Sequence, residues 1–171
     1  MIPFLLLLVQ AAPATTAIAP WAPVTKTDAA TGASSVAAFA MSGDGNARLV
    51  VRCDHAGEPV VSVQLRTRQP LGAADNHPVS MSFDGDAAIE SDWEFPGTAA
   101  FVRDSAIVTK LTAGLAKAHA IKVKTTDATN GAVEESFGGP ASAAPISQVL
   151  EACGYSLGVV PPPLKPAKAG K

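Results

Sequence analysis

The chain has few aromatic residues, only two cysteines and almost no net charge. Aromatics make up 5% of its 171 residues while 47% of the residues are hydrophobic, so the core must be built mainly from small aliphatic side chains. Thirteen Lys and Arg residues face 15 Asp and Glu residues, which leaves a formal charge of −2. Because a phosphate backbone is held by a basic stripe, this balance argues against nucleic acid as a partner.

Apolar runs are also short. The run at residues 4–9 is far below the roughly 20 residues that span a bilayer, but it has the length of a signal-peptide core. Small residues permit cleavage after Ala11, Ala17 or Ala19. We therefore predict a signal peptide over residues 1–19 with its cleavage site open, export to the periplasm or beyond, and no stable membrane span after processing. A retained anchor is the alternative.

Sequence motifs for cofactor or metal chemistry are missing. His55, His77 and His119 lie in unrelated segments, and none has a second ligand at the spacing of HxxxH or CxxC. The glycine clusters lack the spacing and the following Lys of a phosphate loop, and there is no G-x-S-x-G turn. We expect no catalytic residues, no cofactor and no metal requirement.

Hydrophobic periodicity predicts an α+β domain over residues 20–157. Alternation is typical of strands at residues 21–27, 34–41, 48–53, 60–66, 79–83, 89–95, 99–102, 119–126 and 133–137. Helical spacing begins after Asp104, a suitable N-cap, and again at Pro145. Residues 70–78 are predicted to be a polar loop. The expected fold is antiparallel, β-rich and sandwich-like with two helices, followed by a disordered Pro/Lys tail at residues 158–171.

The two cysteines predict one long-range disulfide, Cys53–Cys153. Alternation places Cys53 on the strand face of Leu49 and Val51, and helical spacing places Cys153 on the apolar stripe of the last helix. An exported chain with two cysteines has a single intramolecular pairing available. Two buried free thiols in a cytosolic protein are the alternative.

An acidic segment is the most suggestive functional feature. Its candidate binding surface comprises Asp84, Asp86, Glu90, Asp92, Trp93 and Glu94. The segment fails as an EF-hand because Ala88 and Ile89 stand where an oxygen ligand and a glycine are needed. Alternation puts the acids at 90, 92 and 94 on one strand face, which is typical of a solvated edge strand. An irregular cation site and a paired-carboxylate hydrolase are the alternatives. Trp93 points to the opposite face, into the core or onto a stacking platform.

Several landmarks in order resemble a family of small exported bacterial proteins, the VasI/TagO-like accessory proteins of type VI secretion. They include Trp21, the segment Leu-Val-Val-Arg-Cys at residues 49–53, Trp93, Phe137 and the segment Val-Leu-Glu-Ala-Cys-Gly-Tyr at residues 149–155. The resemblance covers residues 21–155 and implies a periplasmic β-rich domain with two helices and one long-range disulfide. Residues 138–142 and the Lys-containing tail depart from the family pattern.

These observations predict a non-catalytic periplasmic accessory or binding protein of the cell envelope, with a secretion association as one form of that role. Its expected partner is another envelope protein, and its oligomeric state is left open. A small envelope hydrolase or cation-dependent enzyme that uses Glu90, Asp92 and Glu94 is the alternative, and it requires those carboxylates to converge in a pocket. An inhibitor or ligand-binding module would instead show an apolar cleft near Trp93.

Overall fold

A computed structural model describes residues 20–162, without the side chains of residues 73–76. The predicted signal peptide and residues 163–171 of the predicted tail lie outside the described residues. Within them the chain forms nine strands and two helices. The strands are β1 (Val24–Thr27), β2 (Ser34–Met41), β3 (Ala47–Asp54), β4 (Val60–Thr67), β5 (Gly72–Phe83), β6 (Ile89–Gly97), β7 (Ala99–Val102), β8 (Ala120–Thr126) and β9 (Ala132–Gly138). The helices are α1 (Ser105–Leu115) and α2 (Ala144–Ala152).

The strands pair in the order β1-β2-β3-β4-β7-β6-β5-β8-β9, and every pairing is antiparallel. This confirms the predicted antiparallel, β-rich α+β fold. The order contains two groups of paired strands. The first consists of β1 to β4 with β7, and the second of β6 with β5, β8 and β9. They join at one Cα pair, Glu94 with Phe101. The fold is thus one continuous strand order with a narrow seam.

The strand order also curls back on itself. An isolated bridge pairs Ser42, just after β2, with Phe137 of β9. The indole Nε1 of Trp21 donates a 2.8 Å hydrogen bond to the carbonyl oxygen of Gly138, and Trp21 is 1% exposed. These contacts bring the start of the described chain against its last strand.

One core fills the interior, and both helices pack against it. Helix α1 contacts β4 and β5, and α2 contacts β2 and β3. The buried side chains of α1 include Val108, Leu111 and Leu115. As predicted, the Asp104 side chain caps α1 by accepting hydrogen bonds from two backbone N–H groups of the first turn. Within the described residues, no helix combines the length and the apolar character that crossing a membrane requires.

The predicted loop at residues 70–78 is wrong over most of its length. Strand β5 begins at Gly72 and pairs with β6, and the register shifts between Ala74 and His77. The polar composition and Pro78 hid this strand, because strand formation there depends on backbone pairing with β6 rather than on alternation of its own side chains. The irregularity in the ladder is typical of a bulge, which tolerates such residues.

Candidate functional site

The predicted disulfide is present. Cys53 in β3 and Cys153 at the end of α2 are bonded, with their Cα atoms 5.7 Å apart and a sequence separation of 100. Cys53 is fully buried and Cys153 is 9% exposed. The bond fixes the end of α2 to the strand against which that helix packs, so it is a structural crosslink in the oxidised protein.

The side chains of β6, which carries most of the candidate acidic surface, point to the predicted sides of the sheet. Glu90 and Asp92 are exposed, whereas Trp93 on the opposite face is fully buried. The Trp93 indole Nε1 donates a 2.9 Å hydrogen bond to the Ser91 hydroxyl, so its polar atom is satisfied locally. Trp93 therefore belongs to the core, and its assignment to a binding surface or an exposed stacking platform is wrong.

Two of the acids in this segment have structural partners. The Asp84 carboxylate accepts hydrogen bonds from the backbone N–H groups of Ala120 at 2.7 Å and His119 at 2.9 Å, which tie the end of β5 to the start of β8. These backbone hydrogen bonds, with that of Ala120 the stronger, lower the pKa of Asp84. Glu94 accepts hydrogen bonds from the Arg103 guanidinium at 2.9 and 3.1 Å.

The remaining acids, Asp86, Glu90 and Asp92, are exposed. β5 pairs along one side of β6, and β7 meets its other side at the single pair Glu94–Phe101, so Glu90 and Asp92 have no β7 residue paired to them. Among the described side chains, one group alone brings three potential metal-ligand atoms within 4.8 Å of one another, and it contains no acid: Cys53, His55 and Cys153. The acidic segment is thus an exposed row rather than a converging cation site.

An extended apolar docking patch is not formed by the described residues either. Their exposed large hydrophobic side chains are Met41, Val159 and Val160. A binding surface must therefore be sought among the polar faces of the sheet.

Strand register assembles such a face from β3, β4 and the end of β7. Alternation turns Leu49, Val51 and Cys53 of β3 inward, so Arg48 and Arg52 point outward. The antiparallel register places Arg48 opposite Arg66 of β4. Arg103 directly follows β7, the next strand in the order. We call these four residues, Arg48, Arg52, Arg66 and Arg103, the arginine face.

The arginine face has a polar floor. Gln64, 8% exposed, accepts a 3.0 Å hydrogen bond from Arg66 Nε and donates one of 2.8 Å to the Ser62 hydroxyl, which is itself 4% exposed. On the rim, the guanidinium of Arg48 lies 4.6 Å from the ring centre of Phe39, and that of Arg103 lies 5.0 Å from that of Phe101. Stacking on these rings and the Gln64 hydrogen bond restrict the orientations of three guanidinium groups.

The charges on this face are only partly neutralised. Arg52 forms a 2.6 Å ion pair with Asp54, and Arg103 pairs with Glu94. Arg48 and Arg66 are both exposed and have no ion-pair partner among the described side chains. Like charges directly opposite each other on antiparallel strands are destabilising. The repulsion between the two guanidinium groups therefore costs some stability in the isolated protein, and a bound anion would reduce it.

Two shallow depressions lie over the arginine face. One, of about 230 Å³, is lined by residues of β1 to β4 including Phe39, Arg48 and Gln64. The other, of about 330 Å³, shares Gln64 with it and extends to Phe101 and Arg103. Together the two depressions run across the strands. An extended anionic segment that lies in them would therefore contact several arginines in turn.

A larger depression, of about 530 Å³, lies elsewhere and is rich in carboxylates. Two of these serve their own turns, since Asp44 accepts a hydrogen bond from the Asn46 N–H and Asp127 from that of Gly131. A third, Glu135, has a raised pKa because it is desolvated and lies near the negative charge of Asp44. Asp44 and Asp127 thus stabilise their own turns, and Glu135 lies within β9.

Sequence reasoning missed the arginine face because its members come from three separate segments and the net charge of the chain is nearly zero. The signal available in the sequence was the alternation along β3. It places Arg48, Val50 and Arg52 on one face of the strand and Leu49 and Val51 on the other. No family model matches the chain, and no curated protein or solved structure is significantly similar to it. The VasI/TagO resemblance therefore stays a prediction.

Proposed function

We propose that this protein is a non-catalytic binding protein of the cell envelope, exported to the periplasm, and that the arginine face holds an acidic segment of another envelope protein. The observation that carries the proposal is the cross-strand pair of Arg48 and Arg66, two exposed like charges that face each other without an acidic partner among the described side chains.

Arginine chemistry supports this choice of ligand. A guanidinium group presents a planar fork of N–H donors that matches a carboxylate in a bidentate arrangement. Gln64 and Phe39 hold the two guanidinium groups in place, so less freedom is lost on binding. Half-buried Phe39 and Phe101 on the rim add apolar contact area, which suits a protein segment better than a bare inorganic anion.

The envelope location is supported by the disulfide together with the predicted signal peptide. Disulfides persist in oxidising compartments such as the periplasm and are rare in the cytosol. An accessory role in type VI secretion is the specific form implied by the resemblance, and the order of the sequence landmarks is its support.

A peptide-binding measurement tests the proposal. The probe is a fluorescein-labelled ten-residue peptide of alternating Glu and Val, with the Gln-Val peptide as control, and binding is followed by anisotropy at two salt concentrations. We expect the Glu-Val peptide to bind, and Arg48→Gln/Arg66→Gln to weaken binding at least tenfold. Arg68→Gln, in the loop after β4, is the matched control and should leave binding unchanged. Affinity should fall as salt increases.

Thermal unfolding of the same variants separates binding from folding. Because the double variant removes a like-charge pair, its melting temperature should equal or exceed that of the wild type. Equal peptide affinity in the double variant and in Arg68→Gln would refute the arginine face as the binding surface. Binding of an anionic polysaccharide but not of the Glu-Val peptide would refute the assignment of a protein partner.

A further inference from the structure

The disulfide has a histidine beside it. His55 follows β3, and its backbone N–H donates a 2.9 Å hydrogen bond to the Ser34 carbonyl oxygen, which extends the β2–β3 pairing by one residue. The side chain is half-buried. Its Nδ1 and Nε2 lie 3.7 and 3.8 Å from the Cys53 sulfur, and the potential ligand atoms of Cys53, His55 and Cys153 lie within 4.8 Å of one another.

The orientation of this imidazole is fixed by the last turn of α2. Its Nε2 donates a 2.8 Å hydrogen bond to the carbonyl oxygen of Ala152, which satisfies one of the carbonyls left unpaired at the helix end. A carbonyl only accepts, so Nε2 carries a proton, which leaves Nδ1 of the neutral imidazole with a free lone pair. A histidine that ligates a metal commonly donates its other ring N–H to a backbone carbonyl in this way.

We propose that, when the disulfide is reduced, Cys53, His55 and Cys153 form a zinc-binding site. Two thiolates and one imidazole are an established ligand set for zinc, with water or another ligand in the fourth position. Zinc bonds of about 2.3 Å to sulfur and about 2.0 Å to nitrogen place N and S roughly 3.5 Å apart at a tetrahedral centre. His55 Nδ1 and the Cys53 sulfur are 3.7 Å apart, and because that sulfur is about as far from Nε2, it would have to move toward the Nδ1 side to share a metal ion with it. The sulfurs would separate to about 3.8 Å by the same geometry.

Formation of the zinc site takes two steps, reduction of the disulfide and then metal binding. A dithiol reductant supplies two electrons and two protons, the S–S bond breaks to give two thiols, and the reductant becomes a disulfide. Zn²⁺ then displaces both thiol protons to solvent, while neutral His55 binds through Nδ1 without losing a proton. Two thiolates neutralise the charge of the ion. Oxidised protein needs no metal, whereas reduced protein gains a second way to fix α2 to β3.

Cobalt spectroscopy tests the site, since Co²⁺ reports thiolate ligands and a tetrahedral geometry by its absorption. The full-length mature protein is reduced without oxygen by a water-soluble phosphine, which becomes its oxide with oxygen from water. One equivalent of Co²⁺ should then give a thiolate-to-cobalt charge-transfer band and visible bands that Zn²⁺ bleaches, and the oxidised protein should give neither. His55→Gln, which keeps a donor for Ala152, should weaken binding at least tenfold, and His77→Gln should not.

Two outcomes overturn the proposal. One is a reduced wild-type protein without the charge-transfer band, and the other is equal cobalt affinity in His55→Gln and His77→Gln. Circular dichroism is recorded in parallel in case reduction unfolds the chain. Cobalt should then restore the β-sheet spectrum together with the band, because metal binding and folding are coupled. A band without that recovery would show ligation by an unfolded chain and would refute the site.

Discussion

Replacing both cysteines by alanine, as Cys53→Ala/Cys153→Ala, removes the constraint that the disulfide places on the unfolded chain. The two residues are 100 positions apart. The chain-entropy model gives about 4.7 kcal/mol for a loop of that length. Since small domains are stable by about 5–15 kcal/mol, the variant should lose roughly a third or more of its free energy of unfolding.

The same loss can be expressed as a melting temperature. Unfolding entropies near 2.1 cal/mol/K per residue give about 0.3 kcal/mol/K for a domain of about 140 residues. Dividing 4.7 kcal/mol by this value predicts a decrease of roughly 16 °C. Differential scanning calorimetry measures the decrease, and guanidinium unfolding followed by tryptophan fluorescence measures the free energy.

Reduced wild-type protein in the presence of a chelator is the matched control, because it lacks the covalent bond and keeps both sulfur atoms. It should lose nearly as much stability as the double variant. If both proteins stay within 1 kcal/mol of the oxidised wild type, loop closure is not the source of the stabilisation. A large loss in the double variant alone would instead assign the effect to packing of the sulfurs.

Three further predictions follow from individual contacts. Gly114→Ala should destabilise the protein by about 1–3 kcal/mol in chemical denaturation, because the new Cβ would lie 2.3 Å from the Phe83 ring. This loss should outweigh the better helix propensity of alanine. Gly43→Ala, with open space around it, is the control and should change the free energy of unfolding little. The lowered pKa of Asp84 means that its stabilising contribution is present above its unfolded pKa of about 4 and is lost as pH falls through the lower folded value. Asp84→Asn should therefore flatten the acid side of the stability profile, and an unchanged profile would contradict the role of its backbone hydrogen bonds. A chelator should leave the melting temperature of the oxidised protein unchanged, and a decrease that calcium restores would revive a cation site in the acidic segment.

Local patterns predicted most of the fold because strands such as β3 and β8 and both helices bury one face. Alternation correctly placed Cys53 and Trp93, and helical spacing correctly placed the last helix against the core. The first half of β5 was missed because its residues carry little alternation of their own. Strand order was also beyond local reasoning, since β4 pairs with β7 rather than with β5.

The candidate site depended on that non-local information. Arg48 and Arg66 belong to different strands, and only their register makes them opposite neighbours. The acidic run, by contrast, was conspicuous because it is contiguous in sequence, although Asp84 already binds the backbone of β8 and Glu94 already pairs with Arg103. Contiguity in sequence therefore brought together three exposed acids, Asp86, Glu90 and Asp92, and two that are already paired within the domain.

The hydrogen bond from Trp21 to Gly138 spans 117 residues, and this separation sets when the domain can finish folding. A ribosome or a translocation pore delivers the chain from its N-terminus, so Trp21 emerges long before the strand that covers it. Contacts between distant residues also make folding slow. Until β9 and α2 have emerged, the Trp21 indole lacks its hydrogen-bond acceptor and β2 lacks the helix that packs on it. We expect the emerging chain to depend on a holding chaperone for nearly the whole of its delivery.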